Sequence, residues 1–168
     1  ACSQKIPNYP HIHLVVTRLD IGDIEIYYND TLVLVWERKT LQDLLSSLKD
    51  NRYEEQSMRL LSQYSPHNIV YIIEGIMNQV TAQERGLIYS TMTSLSFFKK
   101  VHIWRSVHSQ DTADQLIICA NKIYKQYNNG QTIEDPLVPH HSYSDTIKRV
   151  KKENVNPDNI GELMLCQI

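Results

Sequence analysis

The stretch Asn68 to Ile73 (NIVYII) constrains this chain more than any other. An apolar run of strand length with no polar alternation leaves no face for water. It predicts a central strand covered on both sides. Its flanks agree. Upstream, Leu41, Leu44, Leu45 and Leu48 recur at i, i+3, i+4 and i+7, one apolar helical stripe. A second helix is predicted from Arg52 to Tyr64, burying Tyr53, Leu60, Leu61 and Tyr64, with Ser65-Pro66 as its stop. Downstream, Thr81 to Phe98 predicts a long helix with Leu87, Ile88, Met92 and Leu95 on one face. Val101 to Val107 predicts a strand. Ser109 to Tyr127 predicts a helix with the stripe Ala113, Leu116, Ile117, Ala120, Ile123, Tyr124 and Tyr127. Strands alternating with helices imply right-handed crossovers and parallel pairing.

The first forty residues read differently. His11 to Thr17 is rich in β-branched residues and predicts a strand. Asp20 to Tyr28 predicts another, bent at Gly22, and Leu32 to Lys39 a third. Asn29-Asp30 is a turn signal that joins the last two as an antiparallel hairpin. Thr40 can cap the following helix, with Asp43 at its third position. The expected fold class is therefore α/β, a mixed central sheet flanked by helices.

Composition sets outer limits. With 168 residues, 42% hydrophobic and 21% charged, the chain can bury a core without staples. Cys2, Cys119 and Cys166 are odd in number and widely spaced, so they are no disulfide framework. Cys119 reads as a small core residue, and a reducing compartment, cytosol or nucleus, is expected. No apolar run reaches transmembrane length, and the N-terminus has no apolar signal-peptide core. A net charge of -2 gives no bulk signal for nucleic acid, so any DNA contact must come from local patches. The chain begins without Met and stops on Met164-Leu165-Cys166-Gln167-Ile168, which predicts a piece of a longer protein.

Asn128 to Ser144 breaks the pattern with Asn-Asn-Gly, Pro136, Pro139 and His140-His141. The expected organisation is a first domain over residues 1–128, a linker over 129–144 and a short helical segment over 145–168 that begins a second domain. That segment carries a basic helix, Asp145 to Glu153, and a further helix start at Asn156-Pro157-Asp158.

The chemistry concentrates where the apolar run Leu32 to Trp36 ends in Glu37-Arg38-Lys39 and leads straight into a helix. On a strand, Glu37 and Lys39 share a face and Arg38 points the other way. Asp23, on the neighbouring hairpin strand, can bring its carboxylate towards Glu37. Two carboxylates suit a hard divalent cation, and a lysine beside them can stabilise developing charge on a phosphate. By itself an E-x-K is common, and such groups at strand ends are usually solvated or paired. Asp43 by itself reads as a favourable charge at a helix N-terminus.

Gly22-Asp23, thirteen residues, Glu37-Arg38-Lys39, three residues and Asp43 resembles the GD-x(n)-ERK-x3-D signature of the XPF/Hef structure-specific endonuclease family. The continuation, Asp43-Leu44-Leu45-Ser46-Ser47-Leu48, then Asp50-Asn51-Arg52-Tyr53 and Gln56, matches the same family over about thirty-five residues. The resemblance implies a restriction-endonuclease-like core and Mg2+- or Mn2+-dependent hydrolysis of branched DNA (3′ flaps, forks, nicked junctions) in repair or recombination. It implies a homodimer or a heterodimer with a related subunit, in the nucleus, or in the cytoplasm for an archaeal or viral source. Carried over by motif, Asp23 and Glu37 would be metal ligands and Lys39 the catalytic lysine. Asp43 would support the metal site, and Arg38 would be needed for activity by holding a carboxylate or phosphate. Arg52 and Gln56 would be structural or DNA-side residues. The tail looks like the start of the family's helix-hairpin-helix domain, whose phosphate grip gives Lys148, Arg149, Lys151 and Lys152 a DNA role; a solvated face fits them equally. One departure stands out. The family usually opens on a strand with an acidic D-x-R-E motif, and nothing before Gly22 matches it.

Other residues carry less. His11 and His13 lack a third ligand, and His140-His141 reads as solvated. Lys99, Lys100, His102 and Arg105 could touch phosphate, with a solvated helix end the simpler reading. Trp36 reads as packed. The stripe of the last long helix is core by default, with room for a dimer surface. Two further functions stay open. One is a non-catalytic DNA-binding scaffold subunit, disfavoured because such partners usually lose the ERK acids. The other is a related nuclease acting on linear duplex or four-way junctions.

Overall fold

The computed structural model describes residues 2–131, with side chains from Lys5 onward. The expectations for the linker, for Lys148, Arg149, Lys151 and Lys152, and for the second helical segment lie outside the described residues. Two sheets form: a ribbon of β1 (Cys2–Ile6) with β2 (Tyr9–Val16), and a four-stranded sheet in the order β3 (Ile24–Tyr28), β4 (Thr31–Thr40), β5 (Ile69–Glu74), β6 (His102–Ser106). β3 and β4 are antiparallel, while β4, β5 and β6 run parallel. The sheet is therefore mixed, as expected.

The hairpin turn is tight. Tyr28 pairs with Thr31, and Asn29 and Asp30 both take positive φ, 45° and 63°. Two such residues give a turn whose twist matches the strands, and Asn and Asp tolerate that backbone best after glycine. The parallel pairs need crossovers. From β4 the chain returns through α1 (Leu41–Lys49) and α2 (Arg52–Gln63), and from β5 through α3 (Ala82–Thr93). Every residue of β5 is buried, which makes it the centre the apolar run predicts. Leu41, Leu44 and Leu45 of α1, Tyr53 and Leu60 of α2 and Ile88 of α3 pack on Val35, Ile69, Tyr71 and Ile73. The opposite side of the sheet meets α4 (Ser109–Asn128), which also touches β2 and β3.

Three expectations need correction, and one strand lies outside them. That strand is β1, and β2, the strand expected from His11, pairs with it. The strand read from Asp20 begins only at Ile24, because Gly22 turns the chain with φ +79°. The long helix is interrupted: α3 ends at Thr93 and a π-helical turn covers Ser94–Phe98. Ile88 and Leu95, seven residues apart on one helical face, are buried, while Leu87 lies off that face and is 46% exposed. The stripe of α4 is only half-buried, and the one buried residue of the helix, Thr112, lies outside the stripe.

Candidate active site

The strand β4 carries the ERK residues to the C-terminal end of the parallel strands, and local sequence fixes how they sit. Thr40 ends β4 and starts α1: its hydroxyl accepts the Asp43 backbone N–H at 3.1 Å and donates to the Asp43 carboxylate at 2.7 Å. The strand is thus stopped one residue after Lys39. Within it, Glu37 lies beside Tyr71 and Lys39 beside Ile73, on the face covered by α1, α2 and α3.

Asp23 arrives from the other strand of the hairpin, though just ahead of it. Its backbone N–H donates to the Trp36 carbonyl at 2.9 Å. Its carboxylate accepts the Arg38 backbone N–H at 2.7 Å. The approach depends on Gly22. A β-carbon there would sit 2.7 Å from Val35 Cγ1, on a backbone that side chains rarely adopt. Asp23 and Glu37 then line one cleft of roughly 200 Å³ with Asp20, Ile21, Gly22, Gln56, Arg59 and Leu60.

Glu37 is only 9% exposed. Burial, and then the Asp23 charge, push its carboxyl above the usual range, and Lys39 pulls it back in part. Lys39 Nζ lies 3.2 Å from Glu37 Oε1, and both side chains are largely covered. Three acids, Asp20, Asp23 and Glu37, thus share the cleft with Arg59, and Lys39 pairs with Glu37. A divalent cation fits this donor set. Asp23 and Glu37 each keep a carboxylate oxygen free of the contacts just named, and the buried Gln56 Oε1 has no hydrogen-bond partner. An all-oxygen set with two carboxylates suits Mg2+ or Mn2+, which retain several waters. Among the described residues no group of three or more His, Cys, Asp or Glu could hold a metal ion.

The other named residues sit apart. Arg38 points to the opposite face and grips Glu74, Nε to Oε2 at 2.8 Å and Nη2 to Oε1 at 2.5 Å. That contact holds the Glu74 carboxyl below its usual range and raises Arg38. Asp43 is outside the cleft lining and engaged with Thr40. Arg52 reaches Asp50 at 2.8 Å in solvent. Gln56 does line the cleft. The sequence reading passed over Asp20, Arg59 and Glu74. Arg59 was detectable, since it follows Gln56 by one helical turn on the same face. Lys99 is committed to Glu54, Ser57 and the ring of Tyr53, and Arg105 to the Gly75 carbonyl. Trp36 is buried edge-on against Trp104. His11 stacks on Tyr124 and meets Asn121 at 3.0 Å.

A mixed α/β sheet with Asp23 just ahead of β3 and Glu37 and Lys39 near the end of β4 is the arrangement expected of a nuclease-type α/β domain. The ERCC4 domain matches residues 2–119. The chain belongs to that family, the XPF/Hef-type nucleases. The crossover junction endonuclease MUS81 of Gibberella zeae is 30% identical over 139 residues, covering 77% of this chain and 23% of that one. A probable crossover junction endonuclease mus81 of Dictyostelium discoideum is 41% identical over 73 residues, covering 40% of this chain and 8% of its own. The structure of XPF from Aeropyrum pernix has a TM-score of 0.53 and 26% identity, covering 67% of this chain and 54% of that one. The chain thus spans less than a quarter of the curated relatives it matches.

Proposed function

We propose that this chain carries the active domain of a structure-specific endonuclease that hydrolyses phosphodiester bonds in branched DNA, such as 3′ flaps, forks and nicked junctions, in repair or recombination. The observation that carries it is the Asp23–Glu37 cleft with Lys39 in ion-pair reach of Glu37. Asp23 and Glu37 would hold Mg2+ or Mn2+, which supplies charge neutralisation on the phosphate and an activated water. Lys39 supplies a fixed positive charge where negative charge develops. Gln56 and Arg59, on one face of α2, form the wall of the cleft that an incoming phosphate would meet. Asp43 acts through Thr40, by fixing where β4 ends. Arg52 has no role in the cleft, and its DNA contact would have to be with more distant backbone.

The reading that this is a scaffold subunit has less support, because the acids and the lysine are all present and assembled. The protein would work as a homodimer or with a related subunit, in the nucleus or, for an archaeal or viral source, the cytoplasm. Residues 129–144 would serve as linker, and Lys148, Arg149, Lys151 and Lys152 would lie in the start of a helix-hairpin-helix domain. No described helix is long and apolar enough to cross a membrane. A panel of 3′-flap, fork, nicked, four-way and linear duplexes, incubated with Mg2+, Mn2+ or chelator, tests the assignment. Metal-dependent cutting confined to branched substrates is expected. Cutting that ignores the chelator, or that prefers linear duplex, contradicts it.

A further inference from the structure

We infer that Glu74 is a positioning residue for the Asp23–Glu37 edge, acting from the opposite face of the sheet by gripping Arg38. The inference rests on the nuclease reading of that edge. Arg38 has two ends, and each is engaged. Its guanidinium makes two parallel bonds to Glu74, the geometry that fixes orientation as well as charge. Its backbone N–H donates to the Asp23 carboxylate at 2.7 Å. Asp23 itself is exposed and precedes its strand, so that bond is what ties its carboxylate to the end of β4. A locked Arg38 side chain resists rotation of the strand residue whose N–H does the tying.

Glu74 is anchored in turn. It is 8% exposed at the end of β5. The Thr112 hydroxyl, in the first turn of α4, donates to Glu74 Oε2 at 2.7 Å. With its proton spent there, Thr112 accepts from Ser106 of β6, 2.7 Å away. The chain Ser106–Thr112–Glu74–Arg38–Asp23 therefore crosses β6, α4, β5 and β4 and ends at the cleft. A buried ion pair alone is weak evidence for anything but its own satisfaction. Here the same arginine carries both the half-buried pair and the contact to a cleft carboxylate.

The test uses the full chain and the variants Glu74→Gln, Thr112→Val, Arg38→Ala and Arg38→Ala/Glu74→Gln. Mn2+ affinity is read from the electron paramagnetic resonance of free Mn2+. Single-turnover cleavage of a 3′ flap is read against Mg2+ concentration. Glu74→Gln is expected to weaken Mn2+ binding and raise the Mg2+ half-saturation by about threefold, with DNA affinity held within about twofold. That is less than the roughly tenfold felt when a direct outer partner of a metal ligand is lost, because the Arg38 N–H to Asp23 stays. Thr112→Val moves both the same way by less, and the double variant is no worse than Arg38→Ala, because Glu74 acts through Arg38. Parent-like Mn2+ affinity in folded Glu74→Gln and Thr112→Val overturns the inference, as does a double variant whose losses multiply. Should Glu74→Gln fail to fold, Thr112→Val decides alone, and an unchanged affinity is the negative result. A chain that ranks the variants this way in Mn2+ binding but cuts no DNA supports Glu74 and sinks the nuclease reading. Cutting with no effect of Glu74→Gln does the reverse.

Discussion

Two buried carboxylates, Glu37 and Glu74, face opposite sides of one sheet and respond to pH in opposite directions. Glu37 is pushed up, chiefly by burial and then by Asp23. A raised carboxyl binds a proton more readily folded than unfolded, so it lowers stability as pH climbs from the ordinary carboxylate value through the raised one. Above that window the destabilisation is complete. Glu74 is pulled down, chiefly by its bonds from Arg38. Its contribution is full above the ordinary value and is lost as pH falls through the lowered one. Thermal unfolding without metal, parent against Glu37→Gln and Glu74→Gln from pH 3 to 8, should show the two differences sloping in opposite senses. Parallel slopes would mean that the two environments are misassigned. Lys39→Ala should lower the cleavage rate by about a hundredfold or more, the scale of losing one preorganised charge, with DNA affinity little changed.

At the scale of elements, the geometry of the Asp23–Glu37 cleft depends on two local devices. Gly22→Ala forces a β-carbon into Val35 on a left-handed backbone and should destabilise by about 1–3 kcal/mol in urea unfolding. It should also displace Asp23. A variant with parent stability would show that the bend is slack. Thr40→Ala removes the α1 cap and should lose about 1 kcal/mol by the same measurement. The hairpin, β5, α1 and α4 were legible because periodicity and turn residues report them directly. The ribbon strand β1 was not, since CSQKI has little apolar alternation and its pairing with β2 is a tertiary fact. The π-helical turn also escaped, because no glycine or proline marks it. That Asp23, Glu37 and Lys39 come together was readable from alternation and the hairpin. Arg38 was placed correctly on the other face, but its partner was not, because Glu74 becomes its neighbour only through the β4–β5 register. Asp43, four residues after Lys39, sits in the first turn of α1, where it bonds the capping Thr40.

Across the whole molecule, the cleft couples function to stability. Its carboxylates repel each other without a cation, so binding one should stabilise the fold by mass action, about 2.7 kcal/mol when the ion is at a hundred times its dissociation constant. Mg2+ should therefore raise the melting temperature of the parent and not that of Asp23→Asn, as followed by circular dichroism. Equal shifts in both would place the cation elsewhere. The most direct test of the central claim compares parent and Asp23→Asn on one 3′-flap duplex in Mg2+, with DNA binding measured alongside. The expected result is cutting near the junction by the parent, none by the variant, and equal DNA affinity. Equal cutting by both, or a parent inert in Mg2+ and Mn2+ alike, would contradict it.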